Sequence, residues 1–216
     1  MTRTFYEIEG ELIIWFQSYD YTILIRFFSF IYIYAYVFLL IFPVLAYFAL
    51  SDTRPFRQLL TAYTLNYGIG LIVYVLVMAF GPRNIMPEMF ETTLYDFQPR
   101  YQHLTREVNE FRNVFPSLHT SLAMTVGIFA VRTRDEYPKW TPVGIFLGIS
   151  VAISTMYLGI HWAIDVVAGM ILAVVSVAIS VLVVNRWGVW KRSSERLPTL
   201  AEIRGWIASA WRSIRE

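Results

Sequence analysis

The sequence predicts an all-α protein, a polytopic membrane helix bundle of about five transmembrane spans with an interfacial helix at each end. Of its 216 residues, 56% are hydrophobic and 17% aromatic, which is too apolar for a water-soluble domain. Five long apolar stretches are bounded by charged residues and prolines, and both chain ends are amphipathic. The bulk of the chain therefore belongs in a bilayer.

The five apolar stretches are the predicted spans, because a bilayer core of about 30 Å needs roughly 20 apolar residues of helix. They cover about 27–50, 59–80, a third stretch from 114–117 to just before 132, 140–160 and 162–184. Residues 5–20 mix apolar side chains with acids at helical spacing and are too short and charged to span, so they predict a surface helix. Residues 191–216 repeat that pattern with basic residues, and a partner-binding helix is the alternative for this tail.

The charges exclude some functions and predict an orientation. A net charge of +2 does not argue for nucleic acid, and the absence of cysteine excludes thiolate chemistry and Cys-ligated metals. Basic residues follow the first span, separate the third from the fourth and fill the tail, against four arginines in the long loop 81–113. By the positive-inside rule, that loop and the N-terminus lie outside and the C-terminus inside.

Two clusters of polar residues lie at the ends of predicted spans. The first is Phe115-Pro116-Ser117-Leu118-His119, at the start of the third span. Pro116 suits a first helical turn and Ser117 suits an N-cap, so the free N–H groups and the positive dipole end predict an anion site. His119, just inside that site, can donate a proton to a leaving group beside the anion.

The second polar cluster, STMYLGIHWAID over residues 154–165, joins the fourth and fifth spans. A helix that begins near His161 places His161 and Asp165 at i and i+4 on one face, where the carboxylate can accept a hydrogen bond from one ring nitrogen. That bond would leave the other nitrogen free to attack phosphorus. The predicted topology puts both clusters on the outer side of the membrane.

Together, PSLH (116–119) and STMYLGIHWAID (154–165) resemble the second and third signature motifs of the type 2 phosphatidic acid phosphatase superfamily. The serine-led STMYLG form with HxxxD looks closer to the branch of inositol phosphorylceramide and sphingomyelin synthases. The resemblance covers roughly residues 59–185. It implies a metal-free helix bundle in which His161 is the nucleophile, Asp165 orients it, His119 protonates the leaving oxygen and Ser117 helps to bind phosphate.

The motifs also depart from those of the phosphatases. The first motif of the phosphatases has Lys seven residues before an Arg-Pro pair. In this chain Arg83 follows Pro82, and the position seven residues before Arg83 is Leu76. The third motif has Arg directly after its serine, where this chain has Thr155. A phosphomonoester is largely a dianion near neutral pH, so a site short of cations favours a phosphodiester monoanion.

The sequence therefore favours transfer of a phosphoryl or phospho-head-group from a lipid to an alcohol or lipid acceptor through a phosphohistidine. Arg83 is a predicted phosphate contact, with an ordinary interfacial arginine as the alternative. Arg100, Arg106 or Arg112 of the outer loop could replace the missing charge, which keeps a lipid phosphate phosphatase as the alternative function.

Other interpretations of the same residues stay open. His119 could be a capping residue and Asp165 a buried acceptor, while two histidines and an aspartate are plausible zinc ligands. A transporter could use them as a proton relay. The helix start built to hold an anion counts against both the metal site and the relay. Asn66 in the second span is predicted to form a hydrogen bond between helices.

Three regions result: an interfacial amphipathic helix over 1–20, a transmembrane phosphatase or phosphotransferase-like domain over 21–188 and a cytoplasmic amphipathic tail over 189–216. We expect a multi-pass cell-membrane enzyme with its active site on the extracytoplasmic side. Its predicted partners are the membrane and a phospholipid or other lipid phosphate. We expect no cofactor, no metal and no nucleic acid.

Overall fold

The computed structural model of the protein describes residues 2–19, 21–82 and 114–186. In these ranges the chain forms seven α-helices and one π-helical turn, with no strand. The helices are α1 (Thr2–Gln17), α2 (Thr22–Phe30), α3 (Tyr36–Phe48), α4 (Arg54–Leu76), α5 (Leu118–Arg132), α6 (Trp140–Tyr157) and α7 (Ala163–Arg186), and the π turn Ile31–Ala35 joins α2 to α3. Arg83, the remainder of the long loop and the predicted surface tail lie outside the described residues.

Four helices are long and apolar enough to cross a membrane: the continuous helix Thr22–Phe48, α4, α6 and α7. The third predicted stretch, α5, is also an apolar helix, but its 15 residues extend only roughly 22 Å against a hydrocarbon core of about 30 Å. The structure confirms the predicted all-helical membrane bundle, in which α5 is the short member.

Helix α5 can be short because protein surrounds it. It packs against α3, α4, α6 and α7. Its side chains Leu122, Ala123, Val126, Phe129 and Ala130 are all buried. Large exposed apolar residues instead lie on the outer helices, as lipid-facing surfaces require, among them Ile23, Leu45, Val75, Phe146 and Ile171. Because α5 need not match the bilayer thickness, its first turn can begin inside the bundle.

The second span ends earlier than the sequence predicts, at Leu76 in place of Phe80. Val77 is already extended, with φ −124° and ψ 105°. The carbonyl oxygen of Phe80 accepts a hydrogen bond from the indole N–H of Trp162, at 2.9 Å. A tertiary contact therefore takes the apolar residues after Leu76 out of the helix and holds them against the start of α7.

Asn66 is the predicted interhelical partner, and the structure confirms it. Its side chain is fully buried on α4. The amide nitrogen donates to the Ala62 carbonyl at 2.8 Å and to the Thr125 hydroxyl at 3.1 Å. Its amide oxygen accepts a hydrogen bond from the Ser121 hydroxyl. These bonds join α4 to α5 where lipid would offer no partner.

Basic side chains of the described residues gather at one end of the bundle. At one end, the Gln58 amide donates to Asn185 at 3.1 Å and the Thr133 hydroxyl donates to the Tyr47 hydroxyl at 2.9 Å. The start of α4 packs there with α3, α5 and α7 in one apolar cluster. Six of the basic residues with described side chains lie here: Arg54, Arg57, Arg132, Arg134, Lys139 and Arg186. Both polar clusters lie at the opposite end, at the start of α5 and between α6 and α7.

Candidate active site

The two polar clusters meet at one end of the bundle. The backbone N–H of Ser117 donates to the carbonyl oxygen of Asp165 at 3.0 Å. The ring centroids of His119 and His161 are 6.1 Å apart. The structure thus brings together four of the five predicted site residues, and the fifth, Arg83, lies outside the described residues.

A tight turn at the end of α6 positions His161. Gly159 has φ 64°, a left-handed conformation that glycine adopts without a steric penalty. The N–H groups of Ile160 and His161 both donate to the Thr155 carbonyl, at 2.9 and 3.1 Å, and the Gly159 N–H donates to Met156. This is a Schellman arrangement, which satisfies the last carbonyls of the helix and reverses the chain. His161 therefore begins the return into the bundle on a fixed backbone.

Asp165, in the first turn of α7, has two neighbours among the residues just before the helix. Its Oδ2 accepts a hydrogen bond from the Trp162 backbone N–H at 2.8 Å, which caps the helix start. The same oxygen is 3.5 Å from His161 Nδ1, a distance without the alignment of a hydrogen bond. Among the described residues, neither Nδ1 nor the other carboxylate oxygen, Oδ1, has a hydrogen-bond partner. Both side chains are buried. The pairing of the two side chains is therefore present as a close approach, whereas the predicted hydrogen bond between them is not formed. Nε2 of His161 is the ring nitrogen away from the carboxylate.

Close approach of α5 and α7 depends on Gly169. A Cβ atom at this position would collide with the Ser117 carbonyl oxygen and lie 3.2 Å from Thr120 Cβ. Only glycine lets the two helix starts approach so closely. The sequence analysis did not single out Gly169, because a glycine in an apolar span carries no local signal of what it contacts.

Ser117 caps α5, as its residue type predicts. Its hydroxyl oxygen accepts from the Thr120 backbone N–H at 3.2 Å and its O–H donates to the Thr120 hydroxyl at 2.9 Å. The side chain is fully buried. Its capping role is thus confirmed, and its predicted contact with phosphate stays a prediction.

His119 stands among tyrosine rings that the sequence analysis missed. The rings of Tyr32 and Tyr36 lie with centroids 4.9 and 4.8 Å from that of His119, at interplanar angles of 36° and 46°. The hydroxyl of Tyr74, on α4, lies beside the backbone of Leu118 at the start of α5. In the sequence these tyrosines look like members of an interfacial aromatic belt, which tyrosines near span ends usually form.

Thr155 stands where the phosphatases' third motif has arginine. Its side chain is buried, and its hydroxyl donates to the Ala152 carbonyl at 2.8 Å within its own helix. Among basic residues with described side chains, only Arg26 lies away from the basic end of the bundle, and it is exposed on α2. The described part of the site therefore has no cation in place of the missing arginine.

Within the described ranges, no three His, Cys, Asp or Glu side chains stand close enough together to share a metal ion. The zinc alternative would require His161 and Asp165 to bind a metal jointly with a third ligand. Independence from metal stays a prediction.

The site thus combines two facing histidines with a buried aspartate beside one of them, at one end of a helical membrane bundle. Residues 6–179 match the family described as the PAP2 superfamily, and the chain belongs to that superfamily. The predicted resemblance to this superfamily is confirmed, and the synthase-like branch stays a prediction. Over 143 residues the chain is also 29% identical to the bacitracin transport permease protein BcrC of Bacillus licheniformis, covering 58% of this chain and 69% of that protein. No solved structure matches the chain.

Proposed function

We propose that this protein is an enzyme that transfers a phosphoryl or phospho-head-group from a membrane lipid through a phosphohistidine on His161. The arrangement that carries the proposal is His161 itself, with Asp165 Oδ2 3.5 Å from its Nδ1 and the ring of His119 at 6.1 Å. The nucleophile, the general acid and the charge that stabilises the nucleophile are then all side chains of this protein. Membership of the PAP2 superfamily supports an enzyme of this type.

In the first step, the lone pair of His161 Nε2 attacks phosphorus while the bond from phosphorus to the leaving oxygen breaks. The leaving oxygen takes its electron pair and receives the proton of His119. Asp165 stabilises the positive charge that develops on the His161 ring, and its negative charge favours a proton on the nearby Nδ1. In the second step, His119 takes a proton from water or an alcohol, whose oxygen attacks phosphorus and releases Nε2.

The start of α5 supplies the site for the phosphate. Its first N–H groups and the positive end of its dipole favour an anion, with Ser117 as cap and Arg83 as the predicted cation. Because the described residues offer no cation in place of the missing arginine, a phosphodiester monoanion suits this site better than a monoester dianion. This preference favours transfer of a phospho-head-group and a place in the synthase-like branch.

A lipid phosphate phosphatase is the second candidate, which superfamily membership favours. In that case water accepts the phosphoryl group and arginines of the loop 83–113 neutralise the dianion. Transport is a third candidate, because the relative BcrC is called a transport permease. The facing histidines and the anion-holding helix start favour chemistry over a proton relay.

The first test uses protein purified in detergent with EDTA present. It is given phosphatidic acid in one reaction and, in another, a phosphodiester lipid with a diacylglycerol or inositol-type acceptor. We expect transferred head group without free phosphate, whereas free phosphate from phosphatidic acid would identify the phosphatase. A parallel reaction without EDTA tests the metal site. Activity that is present only there, and that zinc restores after EDTA, would support the metal site instead.

The nucleophile is tested with His161→Ala and His119→Ala, each checked for folding by gel filtration and thermal unfolding. We expect no turnover in the first, and in wild type an acid-labile phosphorus adduct on His161. The second variant should form that adduct more slowly. A folded His161→Ala protein with full activity would rule out the mechanism.

The predicted orientation is testable because the chain has no cysteine, so single cysteines can be labelled without background. Tyr21→Cys lies before α2 at the active-site end, where Tyr21 is 62% exposed, and Ser51→Cys lies in the exposed loop between α3 and α4. An impermeant maleimide added to intact cells should label the first and not the second. The reverse pattern would place the active site on the cytoplasmic side.

A further inference from the structure

The first membrane helix contains a π turn beside the proposed general acid. Residues Ile31–Ala35 form this wider turn between α2 and α3. Single π turns within α-helices are uncommon and occur frequently at functional sites. Tyr32 lies in the turn and Tyr36 directly follows it, and the rings of both tyrosines contact that of His119.

The two tyrosines that contact His119 are themselves packed against other parts of the bundle. Tyr32 is 4% exposed and packs with Tyr157, Leu158 and Ile160, in the turn that positions His161. Tyr36 is half-buried and packs against the core formed by α3, α5 and α6. Tyr32 thus contacts His119 directly and reaches His161 through its supporting turn.

We propose that Tyr32 and Tyr36 are positioning residues for His119, whose rings hold its imidazole toward the leaving oxygen. This inference rests on the proposed function, in which His119 gives its proton to that oxygen as the bond to phosphorus breaks. A histidine ring can rotate about two side-chain bonds, and aromatic rings against it restrict that rotation. A general acid works only when its proton is aimed at the reacting atom, so a ring free to turn protonates the leaving group slowly.

The same π turn provides a matched control. Tyr34, between the two tyrosines, is 49% exposed, and its ring lies 5.6 Å from that of Phe30. It has the same residue type, the same turn and no ring contact with His119. Replacing it changes the lipid-facing side of the helix and leaves the rings around His119 in place.

The test compares Tyr32→Leu, Tyr36→Leu and Tyr34→Leu with Tyr32→Phe and Tyr36→Phe, which keep the rings. Each variant receives two substrates that differ in their need for an acid. They are phosphatidyl-ethanol and phosphatidyl-4-nitrophenol for diester activity, or phosphatidic acid and 4-nitrophenyl phosphate for monoester activity. Nitrophenolate leaves without a proton, so an effect confined to the alkyl ester reports on His119.

We expect Tyr32→Leu and Tyr36→Leu to slow the alkyl ester by on the order of 10- to 100-fold and to leave the nitrophenyl ester within roughly twofold. The Phe variants and Tyr34→Leu should behave like wild type with both esters. Retained turnover of the nitrophenyl ester also shows that the variant is folded, and Tyr36→Leu serves if Tyr32→Leu does not fold.

Equal slowing of both esters in a folded variant, or the same loss in Tyr34→Leu, would overturn the inference. So would a loss in the Phe variants as large as in the Leu variants, because it would assign the effect to the hydroxyls. Failure of the proposed function looks different: His119→Ala would then lack selectivity between the esters, or His161→Ala would stay active.

Discussion

The backbone N–H of Ser117 and the carbonyl oxygen of Asp165 form a hydrogen bond of 3.0 Å. This bond joins the residue that caps α5 to the first turn of α7, so the start of α5 and the carboxylate beside His161 have a fixed separation. A substitution that changes only side-chain charge leaves this bond intact, whereas one that adds bulk between the helices disturbs both motifs. Asp165→Asn is a change of the first kind, and Gly169→Ala is a change of the second kind.

Asp165→Asn should reduce turnover and preserve the fold. The amide oxygen can still accept from the Trp162 N–H, but the negative charge beside His161 Nδ1 is lost. By comparison with other histidines that depend on an aspartate, we expect a fall in kcat of roughly 10²- to 10⁴-fold with unfolding free energy within about 1 kcal/mol of wild type. Turnover and thermal unfolding measure the two effects, and Asp165→Ala should lose the cap as well. Wild-type turnover in Asp165→Asn would assign the carboxylate to capping alone.

Gly169→Ala should destabilise the protein and impair activity together. The added methyl group meets the Ser117 carbonyl oxygen, so α7 must move away from the start of α5. Overpacking of this kind costs about 1–3 kcal/mol. Gly68→Ala is the matched control, because a Cβ there has nothing within 4 Å. Thermal unfolding in one detergent compares the two, and similar melting temperatures would show that the helices adjust without cost.

Gly159→Ala should loosen the turn that holds His161. With φ 64°, an alanine here adopts a left-handed conformation at a cost of about 1–2 kcal/mol. The turn relaxes in the variant and the His161 N–H no longer aligns with the Thr155 carbonyl. We expect lower stability and slower formation of the phosphohistidine, measured by unfolding and by single-turnover kinetics. Gly159→Asn, which tolerates this conformation better, should recover part of both.

The packing of α1 against the start of α7 should depend on pH through Glu9. Burial raises the pKa of the Glu9 carboxyl above its usual value of 4.5, and nearby Asp165 raises it further, while the N–H groups of Ala163 and Ile164 oppose the shift. The neutral form of the Glu9 carboxyl is therefore favoured when α1 is packed against the start of α7. The stabilising contribution is fully present below about pH 4.5 and is lost as the pH rises through the raised pKa.

Hydrogen exchange of the α1 amides, corrected for the intrinsic rate, measures this dependence. Protection in wild type should fall between acidic and neutral pH, and Glu9→Gln should remove that fall. Glu11→Gln, at an exposed position of the same helix, should keep the wild-type profile. An unchanged profile in Glu9→Gln would assign the pH dependence to another group.

Hydropathy predicted the helices well where lipid or protein surrounds a whole apolar stretch. The predicted fourth and fifth spans differ from α6 and α7 by three residues or fewer at each end. Where a specific contact competes with the helix, the prediction was wrong: residues 77–80 are apolar enough for a span, yet the Trp162 indole binds the Phe80 carbonyl and the helix stops. No local pattern contains that bond, because its partners are far apart in the sequence.

The sequence by itself determined the helical membrane bundle, and it predicted that the clusters of His119 and of His161 with Asp165 share one side of the membrane. Apolar length and residue type decide these locally, through the cost of exposing charge to lipid and the periodicity of a helix. Only the tertiary structure decided that Gly169 brings Ser117 against α7 and that Tyr32 and Tyr36 contact His119. Their physical reason is packing: which side chains touch depends on how helices approach one another, and residues distant in the chain set that approach.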